Sequence, residues 1–371
     1  MAGNVVAIVL AAGFSERMGG FKPLLPLGGV TILERCVTLF QEVGIGDVRV
    51  VTGHRGAELE PLLAKLGVRA VKNDRHQEGM FSSVVAGVAT LGAEVDHFFV
   101  LPVDVPLVRT ATIRRLLELC GKDADIIYPR FMGKRGHPPL IAGRRVREIA
   151  GWNRDDGLKA ALVQWESAAM DVDVADGNIL LDMDTADDYR LLREKVELME
   201  IPTPEECRAL MENVLHVGDN VVRHGRAVAE VATRLGEELN RAGCRLDIPL
   251  LEAAALLHDL AKGEPDHARS GARLLEELGF RAAAGPVATH MDIPITGSET
   301  ITVAELLYLA DKMVQGERRL SPEERFRVKL ERYSGDPAIL DIIAGRLKSA
   351  LEIRRRIETY LGRPLTEVIS P

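Results

Sequence analysis

The chain has 371 residues, 46% of them hydrophobic and 27% charged, enough apolar content for two ordinary domain cores and too much for a disordered chain. A net charge of −8 argues against a nucleic-acid coat or a membrane-surface protein, since both need basic patches. Four dispersed cysteines without CxxC spacing argue against a disulfide frame or a zinc knuckle, and no apolar run approaches the ~20 residues of a membrane span. The opening MAGNVVAIVLAAG has no basic segment ahead of its apolar run and reads as a first strand, so the expected location is the cytoplasm.

Along the chain, NVVAIVL, VRVV, VRAV, HFFVLPVD and ADIIYP are apolar runs of the kind expected for strands covered on both faces. Between them TILERCVTLFQEV, AELEPLLAKL, SSVVAGVATL and ATIRRLLELC have helical spacing. This alternation predicts a mostly parallel sheet with crossover helices over residues 1–198, closed by the helix TADDYRLLREKVELME. IPTPEEC carries two prolines and a change of rhythm, placing a linker at 199–205. Beyond it the patterns are helical, which predicts an all-α second half of about six helices, divided into a domain over 206–320 and a helical extension over 321–371.

The first stretch with chemistry in it is LAAGFSERMGGFKPLLPL. A parallel strand ending at Leu10 presents its carboxyl end, where ligands of such sheets sit. Ala11, Ala12 and Gly13 leave backbone N–H groups uncovered, open to a phosphate or a base edge. Arg17 and Lys22 supply the positive charge a triphosphate needs. The spacing is neither a P-loop nor a dinucleotide-binding glycine pattern, and a plain turn with solvated cations is the competing reading. In FFVLPVDVPLV, Asp104 follows a strand on the same sheet edge, where a carboxylate can hold Mg²⁺ against phosphates. An ordinary Asp-Pro turn has the same composition. In ILLDMDTADDY, Asp184 or Thr185 would serve as a helix cap, which leaves Asp182 the better candidate metal ligand.

LAAGFSERMGGFKPLLPL resembles the signature of the MobA-like nucleotidyltransferases, PVDVPLV their metal-aspartate segment and DMDTADDY their second acidic segment. NDRHQEGMFSSVVAGV is similar to the segment lining the nucleotide and acceptor pocket, matching at Asn73, Gly79, Met80, Ser82 and Ser83. GKRGHPPLIAG resembles a segment of the molybdenum cofactor cytidylyltransferases in particular. The resemblance implies a Rossmann-like fold and attack of an acceptor phosphate on the α-phosphate of an NTP, releasing pyrophosphate. It implies nucleotide contacts at Leu10, Ala11, Ala12, Gly13, Arg17, Lys22, Asn73, Gly79, Ser82 and Ser83, and Mg²⁺ at Asp104, Asp182 and Asp184. Members with LAAG in place of LAGG tend to use CTP. CTP is therefore the expected nucleotide, molybdopterin the expected acceptor and a molybdenum hydroxylase the recipient of the product; other phosphorylated or sugar-like acceptors stay open.

In the helical half His224, His258, Asp259, His290 and Asp311 sit in apolar helical patterns, where unpaired charge is costly. A divalent metal offsets that cost by taking imidazole nitrogens and carboxylate oxygens. His267 is placed to join them, and Lys262 lies one turn after His258. Any one of these histidines alone reads more simply as a satisfied core residue; the ordered series is what argues for a site. That series resembles the HD-domain phosphohydrolases over about residues 206–320. The resemblance implies His224, His258, Asp259 and Asp311 as ligands, with His267 and His290 matching the extra histidines of two-metal members, diadenosine tetraphosphate hydrolases among them. It also implies a metal-activated water attacking a phosphoester near Lys262. Fe, Mn, Co, Ni or Zn would suit this donor set. A nucleotide-binding regulatory module is the alternative role. The extension 321–371 reads as a packing or dimerisation segment, making a homo-oligomer an expectation.

Overall fold

The structure, a computed structural model, describes residues 3–14, 20–152, 157–294 and 300–369. Contacts separate the chain into two units, Met1–Leu198 and Met199–Pro371. In the first, β1 (Val5–Ala11), β2 (Asp47–Thr52), β3 (Arg69–Lys72), β4 (His97–Pro102), β5 (Ile126–Phe131), β6 (Leu140–Ala142) and β7 (Ala169–Asp173) form one sheet. Their order is β7-β5-β6-β4-β1-β2-β3, with a short strand Lys134–Arg135 on β5. The pairs β1–β2, β1–β4, β2–β3 and β5–β7 are parallel; β6 runs antiparallel between β4 and β5.

Seven helices accompany the sheet among the described residues: α1 (Ile32–Gln41), α2 (Glu60–Leu66), α3 (Met80–Val88), α4 (Thr110–Leu117), α5 (Val146–Ala150), α6 (Gly157–Val163) and α7 (Ala186–Glu197). Val6 to Val9 in β1 have no exposed surface, which is why this strand is a continuous apolar run rather than an alternating one. A side chain at Gly87 of α3 would come within 2.7 Å of Ile8 Cγ2, so α3 lies directly against β1. The expected mostly parallel sheet is present. Of the seven strands β1–β7, two were not foreseen: β6 is three residues long, and β7 (AMDVD) has no continuous apolar run.

The second unit is helical: α8 (Pro204–Arg208), a π-helical turn Ala209–Val214, α9 (Asp219–Arg241), α10 (Ile248–Leu257), α11 (His267–Glu277), α12 (Arg281–Thr289), α13 (Val303–Lys312), α14 (Pro322–Arg332), α15 (Pro337–Leu361) and α16 (Leu365–Ile369). A two-stranded ribbon, Val314–Gln315 with Arg318–Arg319, follows α13. Apolar nearly all round, α10 is the buried centre, with Leu251, Ala254, Ala255 and Leu257 fully covered. Gly225 fixes how close α9 comes to it, since a Cβ there would lie 2.7 Å from the Leu256 carbonyl oxygen. That approach sets His224 beside His258. The helix expected at His290 is α12, whose interior holds Pro286. Among the described residues no helix is long and apolar enough to cross a membrane.

Candidate functional site

The Val103 N–H donates to the Leu10 carbonyl at 3.0 Å, tying the ends of β1 and β4 together. Leu10, Ala11, Ala12, Gly13, Lys22, Gly79, Ser83 and Asp104 thereby line one pocket of about 440 Å³. A Cβ at Gly13 would meet nothing within 4 Å, so the loop backbone is open to a ligand. Asn73 is buried and works from behind: its Nδ2 donates to Ser82 Oγ and Ser83 Oγ, each at 2.9 Å, and its Oδ1 accepts from the Arg75 N–H at 2.9 Å. Asn73 and Ser82 hold the start of α3 in place, while Ser83 reaches the pocket wall. Gly79 enters α3 with φ 96, a conformation that favours glycine. Arg17 lies outside the described residues.

Lys22 is buried, and its Nζ stands 3.5 Å from Asp104 Oδ1 and 3.5 Å from Asp184 Oδ1. Met183 explains why these acids meet. Its side chain is buried and its N–H donates to the Asp104 carbonyl at 3.0 Å, pinning the acidic segment to the end of β4. Burial pushes the Asp104 carboxyl above its usual pKa; Lys22 opposes the shift, and the charges of Asp184 and Asp182 add to it. Such an excess of negative charge fits a hard divalent cation, and Mg²⁺ needs only one or two carboxylates besides phosphate oxygens. The preference for Asp182 over Asp184 rested on Asp184 or Thr185 serving as a cap. Thr185 caps α7 in a capping box with Asp188, and the Asp184 carboxylate stands 3.5 Å from Lys22; Asp182 and Asp184 are both exposed. Sequence reasoning missed Phe14 and His76 in this pocket. Phe14 stands against His54 and His76, with ring centroids 5.0 Å and 5.4 Å away. The available signal was that both histidines follow strands β2 and β3 at the ligand-binding edge.

In the second unit five helix ends or faces converge. His224 lies in α9, His258 and Asp259 follow α10, His267 opens α11, His290 follows α12 and Asp311 lies in α13. Around Asp259 Oδ2 stand His258 Nε2 at 3.6 Å and His224 Nε2 at 4.0 Å. Around Asp259 Oδ1 stand His267 Nε2 at 3.2 Å and His290 Nε2 at 3.7 Å. Asp311 Oδ1 lies 3.2 Å from His224 Nε2 and 3.7 Å from His258 Nε2. His224, His258 and His290 each set Nδ1 against a backbone carbonyl, of Gly316, Ala255 and Val287, at 2.9, 2.8 and 2.7 Å. Those contacts orient the rings and turn Nε2 toward the centre.

The Nε2 atoms of His258 and His290 are buried without a hydrogen-bond partner, a costly state that a metal relieves. Burial lowers the His258 pKa to about 4, so the ring is neutral and its lone pair is available. Burial opposes ionisation of Asp259, yet the facing His290 imidazole and the Lys262 ammonium hold its carboxyl well below the usual range. The donors form two triads, His224–His258–Asp259 and Asp259–His267–His290, that share Asp259. The residues fit one or two transition metals, with Asp259 placed between them. Lys262 Nζ donates to Asp259 Oδ2 at 2.6 Å.

Residues 7–169 match the family model of a MobA-like NTP transferase domain, and residues 221–315 that of an HD domain. The chain is an enzyme of the nucleotidyltransferase type that carries an HD domain. Molybdenum cofactor cytidylyltransferase of Escherichia coli is 28% identical to this nucleotidyltransferase over 189 residues, covering 51% of this chain and 95% of that protein. A bifunctional IPC transferase and DIPP synthase of Rubrobacter xylanophilus is 36% identical over 169 residues, covering 43% of this chain and 38% of that protein. The crystal structure of Rv0371c from Mycobacterium tuberculosis H37Rv is 26% identical with a TM-score of 0.46, covering 52% of this chain and 100% of that one.

Proposed function

We propose that the first unit transfers a cytidylyl group from CTP to molybdopterin with release of pyrophosphate, and that the HD domain is a metal-dependent phosphohydrolase. The observation that carries the transferase reading is Lys22, held between Asp104 and Asp184 beside the uncovered backbone of Ala11–Gly13. Asp104 and Asp184 would hold Mg²⁺, which supplies charge neutralisation on the triphosphate. Lys22 and Arg17 take phosphate charge, and the Ala11–Gly13 N–H groups approach phosphate or base. Ser83 and Gly79 bound the space from the start of α3. Phosphoryl transfer asks chiefly for positioning and neutralisation, and these residues provide both.

The Escherichia coli relative and the GKRGHPPL segment support molybdopterin; the Rubrobacter relative, an IPC transferase and DIPP synthase, supports a different acceptor. Purified protein given Mg²⁺, molybdopterin and each NTP in turn is expected to form a cytidylylated product by mass and release pyrophosphate with CTP. A product only with another NTP, or only with another acceptor, overturns the assignment. Lys22→Ala and Asp104→Ala are each expected to lower transfer about 100-fold or more. Near-normal transfer in either removes that residue from the mechanism.

For the HD domain, the complete His/Asp set supports turnover over regulation alone. When bound, the metal supplies a Lewis acid and a water of lowered pKa. Asp259 holds its two oxygens toward the two histidine pairs, and Lys262 stands ready for a substrate phosphate. Asp259→Ala is expected to abolish metal-dependent phosphate release. Tight nucleotide binding without turnover in metal-replete protein would support the regulatory role instead.

A further inference from the structure

The extension beyond residue 320 does more than pack. Arg325, Lys329 and Arg332 are spaced four and three residues apart on α14, which places them on one helical face. With Lys262 and His224 of the metal cluster they line a single pocket of about 480 Å³, and no carboxylate is among its lining residues. Two of the four cations already have partners. Lys262 donates to Asp259, and Arg325 reaches the Val314 carbonyl and lies 3.5 Å from Asp311 Oδ1. Lys329 and Arg332 enter no salt bridge among the described residues; their nearest ring neighbours are Phe326 at 6.0 Å and Tyr333 at 5.5 Å. Partial enclosure, with Arg325 and Lys312 as like charges nearby, lowers the Lys329 pKa. In a chain of net charge −8, a concave site lined by four cations and no carboxylate, two of those cations without an acid partner among the described residues, is arranged for an anion that comes from outside.

The length of the array sets the kind of anion. One phosphate at the metals would engage Lys262 and leave the face of Arg325, Lys329 and Arg332 unoccupied, with Lys329 and Arg332 lacking a counter-charge among the described residues. A chain of linked phosphates would run from the metals along α14 and meet them in turn. All three lie outside residues 221–315, the span that matches the HD domain. We propose that α14 is the selecting wall of this site, with Arg325, Lys329 and Arg332 binding the outer phosphates of a phosphoanhydride so that several linked phosphates are preferred to a single phosphomonoester. This rests on the phosphohydrolase reading for turnover, but the binding preference stands on the cations alone. Hydrolysis adds water across one P–O–P bridge. The water oxygen bonds to phosphorus, the bridging bond breaks with its electron pair on the departing phosphate, and the protons go to the new phosphate ends and solvent.

The test uses the full chain in a Lys22→Ala background, so that the N-terminal pocket contributes least. Calorimetry compares inorganic tripolyphosphate and orthophosphate, and phosphate release is measured from tripolyphosphate and phenyl phosphate with Mn²⁺. The intact wall is expected to bind tripolyphosphate at least tenfold tighter than orthophosphate. Lys329→Ala with Arg332→Ala is expected to erase that preference and raise the KM for tripolyphosphate tenfold or more. Phenyl phosphate turnover and thermal midpoint should stay within a factor of two and about 1 °C. Equal loss on both substrates, or an unchanged tripolyphosphate KM, overturns the wall. If neither substrate is hydrolysed, the phosphohydrolase reading fails, and the calorimetric preference alone still decides for or against the wall.

Discussion

Two residues show how differently charge and space can be used in one domain. Gly13 is neither in the left-handed region nor close to anything that a Cβ would strike, so its reason for being glycine is not folding. Gly13→Ala is expected to leave stability unchanged or raised by up to about 1 kcal/mol, while lowering kcat/KM for nucleotidyl transfer tenfold or more. Thermal melting and steady-state kinetics separate the two effects, and full transfer in the variant would sink the idea of an approached backbone. Asp125 serves structure alone: its carboxylate accepts from Arg145 at 2.8 and 2.7 Å and from Arg144 at 2.7 Å. Hydrogen bonds from Arg145, then Arg144, depress its pKa against the opposing effect of burial. A depressed carboxyl contributes stability above the unfolded pKa of about 3.9 and loses it as pH falls through the folded value. Asp125→Asn should therefore cost about 2 kcal/mol at pH 7, with the gap to wild type closing below about pH 4 in urea titrations. The cations and acids of the transferase pocket were legible in the sequence because strand ends and glycine loops announce a ligand edge. Which of Asp182 and Asp184 meets Lys22 was not, because that depends on Thr185 taking the cap.

At the scale of elements, legibility followed the length of the apolar pattern more than burial, since β6 is buried throughout but only three residues long. Strands with long apolar runs read directly from the sequence, whereas three-residue β6 carries too few positions to register. The contact of α9 with α10 had a signal too: a glycine inside a 23-residue helix, which costs about 1 kcal/mol against alanine unless close packing requires it. Gly225 is that case, because a methyl there would strike the backbone of Leu256. Gly225→Ala is expected to destabilise the second unit by about 1–3 kcal/mol and to weaken metal binding, since His224 and His258 would part. Metal titration read by calorimetry checks this; unchanged affinity in a folded variant would show that the helix spacing does not set the cluster.

For the whole molecule, the question is whether the two units respond to metal separately. The chain's two tryptophans, Trp152 and Trp165, both belong to the first unit, so tryptophan fluorescence follows that unit while far-ultraviolet circular dichroism also follows the helices of the second. The unpartnered His258 and His290 nitrogens destabilise the metal-free second unit, and a ligand that binds only the folded state adds about 2.7 kcal/mol at a hundredfold excess over its Kd. At about 2–4 °C per kcal/mol for a unit of this size, Mn²⁺ should raise the helical transition by about 5–10 °C. The tryptophan transition should stay in place, because Asp104 and Asp184 without a nucleotide offer Mn²⁺ too few ligands. A chelator should reverse the shift, and His258→Ala should abolish it while substitution of the exposed His216 does not. Were both transitions to rise together, the units would be one thermodynamic body; were neither to move, the buried histidine cluster would not be a metal site at all.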